Sequence, residues 1–287
     1  MSILDRRLAT GRYRGDMIGR RREYAQVMYP GSDGKHLWIG RTAPPEALAW
    51  CVDYCWWVVW DAPEPYEQGV IPRPVVHVAA EAWQGATRLV VTGPPTQHFR
   101  RRLEQRGRTV ALAFRPAGFR PFVDRPASEL VDVATPVEHL SGVPDEAIAD
   151  RMADLEVDVE RAARELFEWF EPVAPPPDPL AEELSDLVEA AEVDSTIRRA
   201  EQLAGLAGVS LRTLQRRFRE YVGPGPKWVV QRHRLLDVVQ AANQKGDVDW
   251  AALAAELGYT DQSHLIRHFT SVVGEAPARY SAHRATG

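Results

Sequence analysis

Along the first half of the chain, apolar residues alternate with polar or small ones over short runs. Val110, Leu112 and Phe114 fall on one side of such a run and Ala111, Ala113 and Arg115 on the other, the period of two expected of a strand. Glu23 to Tyr29, His36 to Ile39, Trp56 to Trp60, Val75 to Ala80 and Thr87 to Thr92 are further expected strands, separated by the turn-forming runs Gly31 to Gly34 and Gly93 to Pro95. Gln97 to Arg106 fits a helix or an edge strand equally. Residues 1–143 are therefore expected to form a β-rich domain, shaped as a barrel or a sandwich.

From Pro144 the period lengthens. Met152, Leu155, Val159, Ala162, Leu166 and Phe170 recur three or four residues apart, an apolar stripe on a helix whose other faces are acidic. Such a stripe buries either against the chain's own β-rich domain or in a dimer seam through residues 1–172. Five prolines between Pro172 and Pro179 make a stiff extended linker, so residues 144–177 read as an acidic helix plus linker. Another amphipathic helix follows through Leu180, Leu184, Leu187, Val188 and Ala191. Asp178 is placed to cap it and Pro179 to occupy its first turn, with the acidic residues forming a solvated face.

The last third contains a repeat at about 51 residues. Leu203, Ala204, Gly208, Ser210, Leu214, Arg216, Phe218, Gly223 and Pro226 are echoed by Leu253, Ala254, Gly258, Thr260, Leu265, Arg267, Phe269, Gly274 and Pro277, with one residue gained between Thr260 and Leu265. Each copy reads as helix, glycine turn, helix, with Ser210 or Thr260 as the N-cap of the second helix. Leu214 with Phe218, and Leu265 with Phe269, are pairs four apart that pin that helix to its neighbour. Pro226 to Ala242 reads as the connecting helix. The remaining faces carry Arg212, Thr213, Gln215 and Arg216 in one copy and Gln262, Ser263, His264 and Arg267 in the other. These are the side chains that double-stranded DNA selects for: arginine bonds guanine through two donors, glutamine does the same with adenine, and short hydroxyls serve base or phosphate. Two such helices held by one connector suit successive major grooves, about 34 Å apart.

The charge distribution supports the same division. The 287 residues carry a net charge of −5, yet residues 145–195 hold 17 acidic groups against 3 basic, while residues 196–287 hold 13 basic against 8 acidic. A basic reader behind an acidic connector fits a nucleic-acid partner. Asp53 interrupts the most apolar run, from Ala47 to Trp60, so no membrane span is expected. Seven arginines in the first 22 residues leave no room for a secretory signal, and two cysteines in a chain of this length fit a reducing compartment. A cytoplasmic protein is expected.

At residues 210–218 (SLRTLQRRF), 223–226 (GPGP), 258–269 (GYTDQSHLIRHF), 274–277 (GEAP) and Tyr280, the chain resembles the AraC/XylS family of bacterial transcription regulators. Tyr259 stands where Phe is commoner in that family, and Ser281 where Arg is usual. The resemblance covers residues 178–287 and implies a DNA-binding domain with two helix-turn-helix units. Arg212, Gln215, Arg216, Gln262, Ser263, His264 and Arg267 would then face DNA. It further implies an effector-binding or dimerising first domain, RNA polymerase as a partner, and a homodimer through residues 1–172. The runs from Tyr54 to Trp60 and from Phe114 to Phe119 are similar to a poorly characterised β-rich domain that precedes this reader in some members. The expected architecture is α+β with two domains: the β-rich barrel or sandwich, the acidic helical connector and an all-α reader.

Other candidates carry less. Six tryptophans between Trp38 and Trp83 suit the wall of a small-molecule pocket, with Trp57, Trp60 and His77 as its contacts, His77 alongside His36 or His98. Cys51 and Cys55, four apart, are close enough to share a helix face, or are buried small hydrophobes. Arg20 to Arg22 and Arg100 to Arg102 read as phosphate contacts or as a solvated face. No Gly-rich phosphate loop, nucleophile elbow or metalloprotease motif occurs, so no enzyme and no cofactor are expected. The competing readings are a dimeric DNA-binding protein without a ligand, and a metal-dependent barrel enzyme fused to the reader.

Overall fold

The computed structural model describes residues 27–28, 37–83, 86–97, 99–141, 151, 158–194, 196–243 and 248–285. The Arg20 to Arg22 run, His36, His98, and Met152 and Leu155 of the acidic stripe lie outside the described residues. One antiparallel sheet of seven strands organises the N-terminal half. It comprises β1 (Val27–Met28), β2 (Leu37–Thr42), β3 (Val52–Val70), β4 (His77–Trp83), β5 (Ala86–Thr92), β6 (Phe99–Phe114) and β7 (Ala134–Pro136). Their order is β1-β3-β6-β4-β5-β7, with β2 also on β3. The long pair β3 and β6 runs in register from Val52 opposite Phe114 to Val70 opposite Phe99, with irregularities after Val52 and Ala62.

The segment that fitted helix or edge strand is strand. Residues 99–106 pair with β3, while β4 pairs only with residues 107–113, so the first half of β6 is an edge among the described residues. The cysteines do not share a helix. Cys51 lies in the turn before β3 and Cys55 within that strand, where the nearly continuous apolar run is paired with β2 on one side and β6 on the other. Both are fully buried, and burial pushes both thiols up to about 12, which makes them packing groups.

The sheet face bearing Val110, Leu112 and Phe114 is covered by α2 (Val159–Phe170), which follows the short α1 (Glu138–Ser141). Ala162, Leu166 and Phe170 of the apolar stripe are buried there, and the Phe170 ring lies 5.3 Å from Phe114 and 4.7 Å from Phe122. Removing Leu166 or Phe170 from water contributes about 1.5–3 kcal/mol each. Ala162, Leu166 and Phe170 of the stripe are thus spent inside the chain, as the first alternative expects, while Val159 at the start of α2 is half-buried.

After the proline run, α3 (Pro179–Val193) begins as expected, with the Asp178 carboxylate accepting from the amides of Leu180 at 2.8 Å and Ala181 at 3.3 Å. Then come α4 (Ala200–Leu206), α5 (Leu211–Tyr221), α6 (Pro226–Asn243), α7 (Trp250–Glu256), α8 (Gln262–Val273) and α9 (Pro277–Ala285). The hydrophobic core does not stop at the prolines. One buried cluster runs from the sheet through α2, α3, α4 and α5 to Val229 and Val230 at the start of α6. A second holds Leu235 to Ala242 of α6 with α7, α8 and α9, and takes in Ile71 from the sheet domain.

The acidic face of α3 is solvated only in part: Glu183 is exposed, but the face turns inward further along the helix. Glu189 and Glu192 are buried, and arginines of the sheet domain reach them: Arg115 binds Glu189 at 3.1 Å and also Asp186, and Arg73 binds Glu192 at 3.4 Å. The partners lie 71 to 119 residues away in sequence, beyond the reach of any local pattern.

Candidate nucleic-acid interface

Two helix-turn-helix units are built from the repeat, α4 with α5 and α7 with α8. Each turn passes through a glycine at positive φ, +64° at Gly208 and +73° at Gly258, where an L side chain is strained. The apolar pairs act as expected: Leu214, Phe218, Leu265 and Phe269 are all fully buried. This leaves the opposite faces of α5 and α8 outward.

The caps differ between the units. Ser210 caps α5 by accepting from the Thr213 amide at 3.2 Å. In the second unit the cap is Asp261, not Thr260, and its carboxylate accepts from the His264 amide at 2.7 Å. The residue gained in the repeat precedes the cap, so Asp261 stands four before Leu265 as Ser210 stands four before Leu214. Asp261→Ala should destabilise the second unit by about 1 kcal/mol. Urea unfolding checks this, and an unchanged midpoint would remove Asp261 as the cap.

Of the expected DNA-facing residues, Arg212, Gln215 and Arg216 on α5 and Gln262, Ser263 and Arg267 on α8 are exposed. Thr213 and His264 are partly buried and held by the protein itself. The Thr213 hydroxyl lies 3.0 Å from the Ser210 hydroxyl, and the His264 ring stands edge-on to Tyr259 with Nδ1 3.3 Å from the Thr260 hydroxyl. The Tyr259 hydroxyl, absent from the commoner Phe, lies 2.9 Å from Nδ1 of His268. Ser281 donates to the Pro277 carbonyl at 3.1 Å.

The first unit is seated on the sheet domain. Arg120 reaches Glu220 of α5 at 2.6 Å, and a methyl group on Gly223 would meet Val131 at 2.8 Å. Buried at the joint, Glu192 is shared by Arg73 and by Arg232 of α6, the latter at 3.0 Å, while Arg232 also donates to the Pro72 carbonyl. Arg73 in turn lies 3.4 Å from Asp53 and 3.3 Å from the Tyr54 hydroxyl. No sequence pattern pointed to these residues.

The three pocket candidates do not converge. Trp57 pairs with Val110 in register, on the face covered by α2, and its indole lies so close over Gly40 that a methyl there would meet it at 2.3 Å. Trp60, opposite Gly107, and His77, opposite Ala113, lie on the other face. Trp60 is buried and donates to the Glu104 carbonyl at 3.3 Å. His77 accepts at Nδ1 from the Trp56 indole at 3.1 Å. Burial, then the Arg73 charge, lowers the His77 pKa from 6.5 to about 4. The native ring stays neutral where the unfolded chain takes up a proton. This contribution to stability is therefore complete above pH 6.5 and falls as pH drops toward 4, by at most about 1.4 kcal/mol per pH unit. Unfolding midpoints at pH 7 and pH 5 should differ less in His77→Gln than in wild type; equal differences would refute it.

Of the arginine run in β6, Arg100 and Arg102 are exposed and pair with Glu67 and Glu104, as a solvated face would, whereas Arg101 points the other way and binds the buried Glu81. Among the described residues, no group of three or more His, Cys, Asp or Glu is placed to hold a metal ion, and no helix is long and apolar enough to cross a membrane.

Comparison with known proteins matches two segments. Residues 40–136 match a family described as a domain of unknown function (DUF6597), and residues 203–283 match a helix-turn-helix domain family. A putative AraC-like transcription regulator from Streptomyces antibioticus is 35% identical over 82 residues, which are 29% of this chain and 27% of that protein, so the chain spans about a quarter of that relative's length. Among solved structures, the DNA-binding domain of the global transcriptional factor AdpA in complex with a target DNA is 30% identical, over 37% of this chain and 92% of that one, at a TM-score of 0.29. ToxT from Vibrio cholerae is 12% identical over 86% of this chain and 98% of its own, at a TM-score of 0.37. The helix-turn-helix match coincides with the repeat that builds α4 to α9, so residues 203–283 form an AraC-type helix-turn-helix domain, preceded at residues 40–136 by a domain of a family of unknown function.

Proposed function

We propose that the chain is a sequence-specific DNA-binding transcription regulator that places α5 and α8 in successive major grooves of double-stranded DNA. The observation that carries this reading is the repeated division of each helix into a buried apolar side and an exposed side of Arg, Gln and Ser, with both helices anchored to α6. Eighteen residues of α6 span about 27 Å, a separation of the right order for neighbouring turns of one groove. Arg212, Gln215, Arg216, Gln262, Ser263 and Arg267 select bases or position the protein on phosphates. Thr213 and His264 act nearer the caps.

Selection of bound duplexes from a random pool by the full chain tests the reading and should return two half-sites about 10 base pairs apart. Arg216→Ala and Gln262→Ala should each relax preference at one base position, at a cost of about 1–3 kcal/mol. Unchanged preference in both variants would overturn those assignments.

The sheet domain, residues 1–143 with the connector at 144–177, is proposed to answer to a small-molecule effector without acting as an enzyme, and a thermal-shift screen of the full chain against small molecules tests this. RNA polymerase, a second copy of the chain and a cytoplasmic setting complete the reading. A dimer must use a surface other than Ala162, Leu166 and Phe170 of α2, which the chain itself covers.

A further inference from the structure

Helix α6 changes cores halfway along its length. Val229 and Val230 belong to the cluster of the first unit, and Leu235 onward to that of the second. The seam between them is the polar run Arg232, His233, Arg234. From this seam Arg234 reaches into both units. One terminal nitrogen donates to the carbonyl of Arg198 at 2.9 Å, just ahead of α4, and the other to the carbonyl of Gly258 at 3.0 Å, in the turn before α8. Its guanidinium lies 5.7 Å from the centre of the buried Tyr259 ring, which itself contacts His264 and His268 of α8. Arg198 closes the loop from the other side, donating to the Glu256 carbonyl at the end of α7.

We propose that Arg234 and Arg198 form a clasp that sets the distance and angle between the two recognition helices, and so the half-site spacing the protein accepts. The inference rests on the DNA-reading function proposed above. A single helix joining two separate cores lets one unit tilt against the other, because helices bend and share only their side-chain packing at each end. A planar fork with two donors aimed at carbonyls of different units removes that freedom. Lysine, with a compact ammonium and no planar face for the tyrosine, does not replace it. Arg234 and Arg198 are positioning residues, acting on DNA only through α5 and α8.

The test uses the full chain and three kinds of duplex obtained by in vitro selection: both half-sites at the native spacing, both with one or two base pairs inserted between them, and the α8 half-site alone. Rigid presentation of two linked contacts raises affinity only when geometry matches both. Arg234→Ala and Arg198→Ala should therefore lose about tenfold in affinity for the native duplex, change by less than about twofold on the single half-site, and discriminate less against the respaced duplex. Arg234→Lys keeps the charge and the least perturbed fold, and should show the same loss of spacing discrimination. Equal losses on single and paired half-sites overturn the proposal, as does full spacing discrimination in the lysine variant. A wild-type chain that binds selected DNA with no spacing preference also overturns it while leaving DNA reading intact. A wild-type chain that enriches no sequence instead refutes the reading beneath it, and the clasp with it.

Discussion

Glu192→Ala is expected to destabilise the chain by about 3–5 kcal/mol, the usual consequence of removing one member of a buried ionic cluster. The carboxylate is 8% exposed and lies between Arg73 at 9% and Arg232 at 3%, with one oxygen toward each. Truncation leaves Arg73 with Asp53 as its carboxylate partner but takes from the buried Arg232 the carboxylate it binds, around a cavity left by the lost side chain. The cost falls on the remaining charges more than on the lost contact, because a charge held from water without its counter-ion bears its full desolvation penalty. Glu192→Gln keeps the shape and one acceptor and should lose less. Urea unfolding followed at a tryptophan signal and by circular dichroism measures both variants. A loss below about 1 kcal/mol for the alanine variant would mean that water reaches the arginines and that the joint is looser than the structure shows.

Phe269→Ala should destabilise the second helix-turn-helix unit by about 3–5 kcal/mol. Phe269 is fully buried, and its ring meets Tyr280 edge-on at 5.7 Å. The cluster it belongs to is much smaller than the one shared by the sheet and the first unit, so fewer neighbours collapse into the space left behind. The loss should be local. Amide exchange in α7 and α8 should rise while β3 and β6 keep their protection, as expected of a unit with its own core. Binding should then fall back toward the half-site read by α5. Uniform loss of protection across sheet and reader would show that the two clusters unfold as one, against this expectation.

Much of the reader is legible along the chain because its determinants are local. A cap lies three or four residues from what it caps, a glycine turn needs only its own φ, and Leu and Phe four apart define the buried side of a helix. Ser210, Asp178, Gly208 and Gly258 are found where such rules put them. The cap of α8 fails by one residue because Thr260 and Asp261 are adjacent good caps, and spacing to Leu265, rather than residue type, decides between them. The strands around Val110 and Thr87 are legible for the same reason, whereas β3 extends from Val52 to Val70, well beyond its apolar stretch, because pairing with β6 holds polar residues in register. Trp57, Trp60 and His77 look like one group by composition, yet the parity of their positions along paired strands sends Trp57 to the opposite face.

By itself, the sequence determined most of the elements, the repeat and the polar faces that α5 and α8 turn outward, since each follows from periodicity or from a few neighbouring residues. Tertiary structure decided what holds the reader in place. Glu192 between Arg73 and Arg232, Arg115 on Glu189, and Arg234 across two carbonyls join residues 24 to 119 positions apart. A charge count records such residues only as acid and base. Whether they face water or one another depends on which surfaces the folded chain brings within about 3 Å, a distance no one-dimensional pattern encodes.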